Sequence, residues 1–162
     1  MLFRSVASRL QTDRIGSAEK ITVVLNGIDT ARFAKTRLEF ERQQFLDRWQ
    51  LPADSLLVGT VGELTPLKGQ AEFLRAAVEI LGQFPQAHFI VAGIDHSRGS
   101  QHQAQLEQLI DKLKLTAHVS LVGWLADLAQ LYCALDVFVS ASHTESFGLA
   151  IAEAMEIGRA HV

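Results

Sequence analysis

The chain predicts a doubly wound α/β domain built on a parallel sheet. Short continuous apolar runs recur along it: Leu57-Val58-Gly59-Thr60-Val61-Gly62, Ala87-His88-Phe89-Ile90-Val91-Ala92-Gly93, Val119-Ser120-Leu121-Val122 and Leu135-Asp136-Val137-Phe138-Val139. Between these runs, apolar residues return at helical spacing. Strands apolar on both faces, alternating with amphipathic helices, call for helices on both sides of the sheet and right-handed crossovers.

Each element has its own warrant. In residues 1–11, Leu2, Val6 and Leu10 fall on one face of a surface helix; the same stretch is basic and free of acids, as a mitochondrial presequence would be. Ile21-Thr22-Val23-Val24-Leu25 predicts a strand ending in the turn dipeptide Asn26-Gly27. Leu38, Phe45, Leu46 and Trp49 predict a helix that stops at Pro52. After the first sheet strand, Phe73, Leu74, Ala77, Val78 and Leu81 mark a helix, and Leu106, Leu109, Ile110 and Leu113 a second. Leu125, Leu128, Leu131 and Tyr132 mark a short third helix, and a last one begins near Phe147. The section before Leu56 reads as a lead-in to this domain, and no internal repeat or low-complexity tract interrupts it.

At 162 residues, with 48% apolar and 20% charged residues, the chain can bury one core. A net charge of −3 without a basic stripe argues against nucleic acid as a partner. Cys133 is the single cysteine, which rules out an internal disulfide and suits a reducing, cytoplasmic setting. No apolar run approaches the roughly 18 residues of a membrane span.

In a doubly wound sheet, ligands bind outside the carboxyl ends of the strands. Loops 62–69, 93–99, 122–125 and 140–147 are therefore the candidate binding edge. The last of them runs Ser142-His143-Thr144-Glu145-Ser146-Phe147-Gly148-Leu149 into a helix carrying Glu153. A carboxylate inside an apolar helix costs several kcal/mol unless it is paired or hydrogen-bonded, so a roughly −1 charge there needs a reason. Ser146 is expected to cap the helix, and free amides near Phe147, Gly148 and Leu149 to form an anion site. Spacing alone leaves Glu153 open between an exposed helix-face carboxylate and a group that accepts from two adjacent ribose hydroxyls. The loop Gly62-Glu63-Leu64-Thr65-Pro66-Leu67-Lys68-Gly69 fits either a plain turn with a surface lysine or a phosphate contact through Lys68. It is not a Walker A loop, and Gly-x-Gly-x-x-Gly occurs nowhere. Loop polarity accounts for His143, His96 and Asp95, and His88 reads as a hydrogen-bonded sheet histidine.

These pieces, in this order, resemble a family. Val24-Leu25-Asn26-Gly27-Ile28-Asp29, the loop Gly62 to Gly69, Val91-Ala92-Gly93, Leu121-Val122-Gly123, Asp136-Val137-Phe138-Val139 and the Glu-x7-Glu stretch from Glu145 to Glu153-Ala154-Met155 are similar to the donor-binding domain of family 4 glycosyltransferases. Those are retaining enzymes of the GT-B fold, whose C-terminal half is Rossmann-like. The resemblance implies that Glu145 meets the donor sugar and Glu153 the ribose, with the amides of Phe147, Gly148 and Leu149 on sugar and diphosphate. Gly62, Glu63, Lys68 and Ser146 would complete the donor site. Glu145 and Lys68 would be its catalytic residues, Lys68 neutralising the departing diphosphate. The implied donor is a UDP-, GDP- or ADP-linked sugar, without metal or other cofactor. One position departs: the family usually has Arg where this chain has Glu63, and a carboxylate facing inward would repel phosphate.

The resemblance also divides the chain. Residues 1–35 would be an interdomain helix, strand and linker, and 36–156 a truncated donor domain whose acceptor-binding N-terminal partner is missing. A full-length enzyme would associate peripherally with membranes. Residues 157–162, Ile-Gly-Arg-Ala-His-Val, match the translation of a common sequencing adaptor and are expected to be a non-native tail. The strand at Leu135–Val139 would then present an open apolar edge. Two other functions suit the same residues: a GT-B-fold sugar-nucleotide epimerase, and a non-enzymatic nucleotide-binding module.

Overall fold

Residues 8–13, 15 and 17–159 are described by the computed structural model. Residues 8–12 are helical and Ala18–Lys20 form one 3-10 turn, while Leu2 and Val6, expected on the first helix, lie outside the described residues. There follow α1 (Thr30–Glu39), α2 (Arg42–Arg48), β1 (Leu56–Val61), α3 (Gln70–Leu81), β2 (Ala87–Ala92), α4 (Gln101–Lys112), β3 (Val119–Gly123), α5 (Leu128–Ala134), β4 (Val137–Phe138) and α6 (Leu149–Ile157).

The strands form one parallel sheet in the order β3-β2-β1-β4. The chain steps outward from β1 to β2 to β3, then returns to the far side of β1. Strand order therefore reverses between β1 and β4, and the loops leaving their carboxyl ends diverge around a crevice.

Successive strand residues face opposite sides of a sheet. Leu57 and Ile90 accordingly join a core with Phe33, Phe45, Tyr132, Leu135 and Phe138, roofed by α1, α2, α5 and α6. Val58, Phe89 and Val91 join the other, with Phe73 and Leu74 of α3 and Leu106 and Ile110 of α4. Each fully buried Leu or Phe contributes about 1.5–3 kcal/mol, enough to make the layers mutually dependent. Gly59 sits mid-strand because the Leu135 side chain occupies the space a β-carbon would need.

Several expectations change. Ile21–Leu25 is not a strand: Val23, Val24 and Leu25 are 39%, 76% and 71% exposed. Apolar, β-branched residues make a strand only when they meet a backbone edge, and this segment pairs with none of the four strands of the sheet. The helix expected from Leu38 to Trp49 is two, broken where Phe40 turns extended (φ −78°, ψ 125°). Leu38 points outward, and Phe33 enters the core instead. Arg42 then anchors α2: its guanidinium donates to the Ala134 carbonyl, to Ser55 O at 2.9 Å and to Asp136 Oδ2 at 2.8 Å.

The fourth strand shrinks to Val137–Phe138, although Asp136 and Val139 N–H still donate to the Leu57 and Gly59 carbonyls at 2.8 Å. Among the described residues no strand flanks its outer edge, as expected, and Val137 is exposed there; one bond crosses that edge, from Phe138 N–H to Arg159 O at 3.0 Å. The first residues of the expected tail are thus packed, with Ile157 in the core and Gly158 (φ 80°) ending α6. Residues 160–162 lie outside the described residues. Among the described residues, no helix is long and apolar enough to cross a membrane.

Candidate functional site

The crevice at the strand-order reversal is a cleft of about 380 Å³. Its walls bring together every site residue singled out in the sequence: Gly62, Glu63 and Lys68 from the loop after β1, and Glu145, Ser146, Phe147, Gly148, Leu149 and Glu153 from the segment after β4.

The two loops are stitched together. Lys68 ends the 3-10 turn Pro66–Lys68, and Gly69 follows in the left-handed region (φ 68°). A β-carbon at Gly69 would overlap the Ala141 carbonyl, so only glycine allows the loops to touch there. His143 N–H donates to Leu67 O at 2.9 Å, closing the seam. The seam carries an ion pair: Lys68 Nζ donates to Glu145 Oε1 at 2.7 Å, both side chains half-buried. Ser142 Oγ donates to the same oxygen at 2.7 Å. Burial raises the Glu145 pKa, but the hydrogen bonds from Lys68 and Ser142 and the ammonium charge outweigh it and hold the carboxyl below its ordinary value.

Helix α6 starts at Leu149, two residues later than its expected start, and this corrects the role of Ser146. The capping position belongs to Gly148 (φ 78°), which has no side chain to offer the helix. Serine at 146 lies outside the first turn and makes no cap. The first intrahelical bond is Ala152 N–H to Gly148 O at 3.0 Å. The amides of Leu149, Ala150 and Ile151 therefore lack intrahelical partners at the positive end of the helix dipole, and Leu149 and Ala150 line the cleft. Phe147 and Leu149 are each 45% exposed beside them.

Glu153, one turn further in, accepts a hydrogen bond from Tyr132 Oη on its Oε2 at 2.9 Å. Helical spacing marked Tyr132 only as a core position, because periodicity shows that a side chain is buried and not what its polar end meets. Ser142 was missed for a similar reason: a loop serine carries no signal until the loop's path is known.

Glu63 is exposed on the cleft wall; its carbonyl, not its carboxylate, is engaged, accepting from Gln70 Nε2 at 2.9 Å. A second groove of about 230 Å³ adjoins the cleft, lined by Gly93, His96, Gly123 and the 70% exposed Trp124. Asp95 is structural: its carboxylate accepts from Ser97 N–H at 2.7 Å and Gln103 N–H at 2.9 Å, shaping the start of α4. Bonds to the Ser97 side chain and the Gln103 amide hold its pKa down to about 2. His143 stands 3.8 Å from Glu72 at the surface, and His88 bonds Ser120 Oγ at 2.9 Å within the sheet. Another cavity, of about 260 Å³ between α1, α2 and α5, holds none of the site residues. Among the described residues, no cluster of three or more His, Cys, Asp or Glu could hold a metal.

Residues 41–162 match the family described as glycosyl transferases group 1. The D-inositol 3-phosphate glycosyltransferase of Kineococcus radiotolerans is 34% identical over 141 residues, covering 83% of this chain and 32% of that protein. The lipopolysaccharide core biosynthesis mannosyltransferase LpsB of Rhizobium meliloti is 31% identical over 137 residues, covering 85% of this chain and 38% of LpsB. The chain thus spans about a third of the length of these relatives. The crystal structure of Anabaena Alr3699/HepE in complex with UDP and glucose superposes with a TM-score of 0.77 at 26% identity, covering 96% of this chain and 41% of that one. Parallel sheet, switch-point cleft and these likenesses define the class, that of GT-B glycosyltransferases. Within that class, the chain belongs to the glycosyl transferases group 1 family.

Proposed function

We propose that this chain is the nucleotide-sugar donor-binding part of a family 4, retaining glycosyltransferase that moves a hexose-type sugar to an acceptor. The observation that carries the proposal is the single cleft in which Lys68, Glu145, the uncapped amides of α6 and Glu153 line one wall system at the strand-order reversal. That set suits a ligand with hydroxyls at one end, a diphosphate in the middle and a ribose at the other.

Glu145 accepts from the sugar hydroxyls, the α6 amides donate to the diphosphate, and Glu153 accepts from the ribose. The adjoining groove, with the backbone of Gly93 and Gly123 and the ring of Trp124, takes the base. In the transfer, the bond from the anomeric carbon to the diphosphate oxygen breaks, and its electron pair leaves on the diphosphate. A bond forms from that carbon to an acceptor hydroxyl oxygen, whose proton passes to the departing diphosphate oxygen. Lys68 stabilises the charge that develops on the leaving group. An ammonium has three donors and Glu145 uses one, so Lys68 can hold both partners at once. Acceptor recognition is assigned to sequence outside this chain, in keeping with relatives of which it spans about a third. The chain by itself is expected to bind donor without turning it over.

The Anabaena protein, a structure with UDP and glucose, supports the donor class. Calorimetric titration with UDP, GDP and ADP tests the reading. One of the three binds, and Lys68→Ala and Glu153→Ala each weaken it roughly tenfold or more. A folded chain that binds none of them would falsify the proposal.

A further inference from the structure

Tyr132 is completely buried, yet its hydroxyl ends at a carboxylate of α6, that of Glu153. The ring is held on two sides: edge-on to Phe138 of β4 at 5.7 Å and 68°, and tilted against Phe33 of α1 at 6.2 Å. Sheet and helix together therefore fix where the hydroxyl stands. It has one proton to give, no water to give it to, and Glu153 Oε2 at 2.9 Å. Burial first, and then the charge of Glu153, push the phenol pKa far up, so the group remains a donor wherever the chain is folded. Among the described residues, no donor meets the other oxygen, Oε1, and Glu153 lines the cleft.

We propose that Tyr132 is a positioning residue that anchors Oε2 of Glu153 and so presents Oε1 to the vicinal diol of a ribose in the cleft. The proposal rests on the donor-site reading above and adds to it the group that makes Glu153 selective. A glutamate on a helix face normally samples several rotamers, and a ligand must pay to freeze them. Here the phenol freezes Glu153 when the chain folds, before any ligand arrives. The selectivity for a diol is then a property of the core, carried outward by one hydrogen bond.

The test compares two affinities of the full chain by calorimetry. For whichever of UDP, GDP and ADP binds most tightly, the ratio of its affinity to that of its 2′,3′-dideoxy counterpart is measured. Wild type prefers the ribonucleotide. Tyr132→Phe keeps the ring and its packing, and the preference falls roughly tenfold, the size of one hydrogen bond to a charged group, with the dideoxy affinity unchanged. Glu153→Ala removes the same preference, and adding Tyr132→Phe to it changes nothing more. Phe33→Leu, which loosens the ring while keeping the hydroxyl, lowers the ratio in the same direction. An unchanged ratio in Tyr132→Phe and Phe33→Leu, or an equal fall for both nucleotides, overturns the role of Tyr132 and leaves the donor site standing. A wild type that binds no diphosphate, or does not distinguish the two, overturns the donor-site reading and this inference with it.

Discussion

Lys68 Nζ and Glu145 Oε1 meet at 2.7 Å across 77 residues of chain, bridging the loops that leave β1 and β4. The pair gives a pH dependence whose sign can be worked out. The Glu145 pKa is lowered from 4.5 in the folded chain, so the carboxylate stabilises the fold fully above pH 4.5 and loses that contribution as pH falls through the lowered value. Glu145→Gln is therefore less stable than wild type at pH 7, and the gap between their urea midpoints narrows as the pH is taken below 4.5. A gap that stays constant across that window would show that the carboxylate is not engaged as described.

Glu63 places a negative charge on the wall of a cleft proposed to hold a diphosphate. Glu63→Arg exchanges a repulsion for an attraction at an exposed position, where such terms are worth up to about 1 kcal/mol each. Nucleoside diphosphate affinity rises about three- to tenfold at low salt, and titration at higher ionic strength erases most of the gain. Weaker binding would mean that Glu63 has a role the electrostatic argument omits.

Gly69 combines a left-handed backbone with contact against Ala141. Gly69→Ala meets both obstacles, and each strained feature of this kind costs about 1–3 kcal/mol. Chemical denaturation should show a loss of that order. Diphosphate binding weakens in parallel, because the Lys68 loop can no longer seat on the loop that carries Glu145.

Asp95 supplies a second titration in a different place. Its pKa is lowered from 3.8 to about 2, so its contribution to stability is whole above pH 3.8 and disappears on the way down to about 2. Asp95→Ala shows a lower urea midpoint than wild type at neutral pH, and the two curves converge near pH 2. Nucleotide binding is little affected, since Asp95 braces the start of α4 and does not line the cleft.

Much of the sheet was legible because parallel strands buried on both faces announce themselves as unbroken apolar runs, and β1, β2 and β3 lie where those runs lie. The switch-point loops followed, and with them the residues that gather in the cleft. The misreadings share a cause: propensity is local and partners are not. Ile21–Leu25 has the composition of a strand but meets no strand of the sheet. The break at Phe40 carries no Gly or Pro, because Arg42 sets it from a distance by binding Ser55, Ala134 and Asp136. Ser146 had the chemistry of a cap, but the left-handed Gly148 took the position two residues later. Tyr132 looked like packing alone, and its hydroxyl became informative only when α5 and α6 were brought together.

The pairing of β4 with the far side of β1 also has a bearing on how the chain comes to be folded. Leu57 N–H waits for the Asp136 carboxylate, 79 residues downstream, and until then one edge of the sheet's innermost strand is bare. On a ribosome adding about 5–20 residues per second, that interval lasts several seconds. During it β1, β2 and β3 can zip together while a ladder of unmatched amides faces solvent, open to any other nascent strand. The cleft exists only once the segment Glu145–Glu153 has been made and β4 has paired with β1, so a nucleotide offered earlier would find nothing to bind.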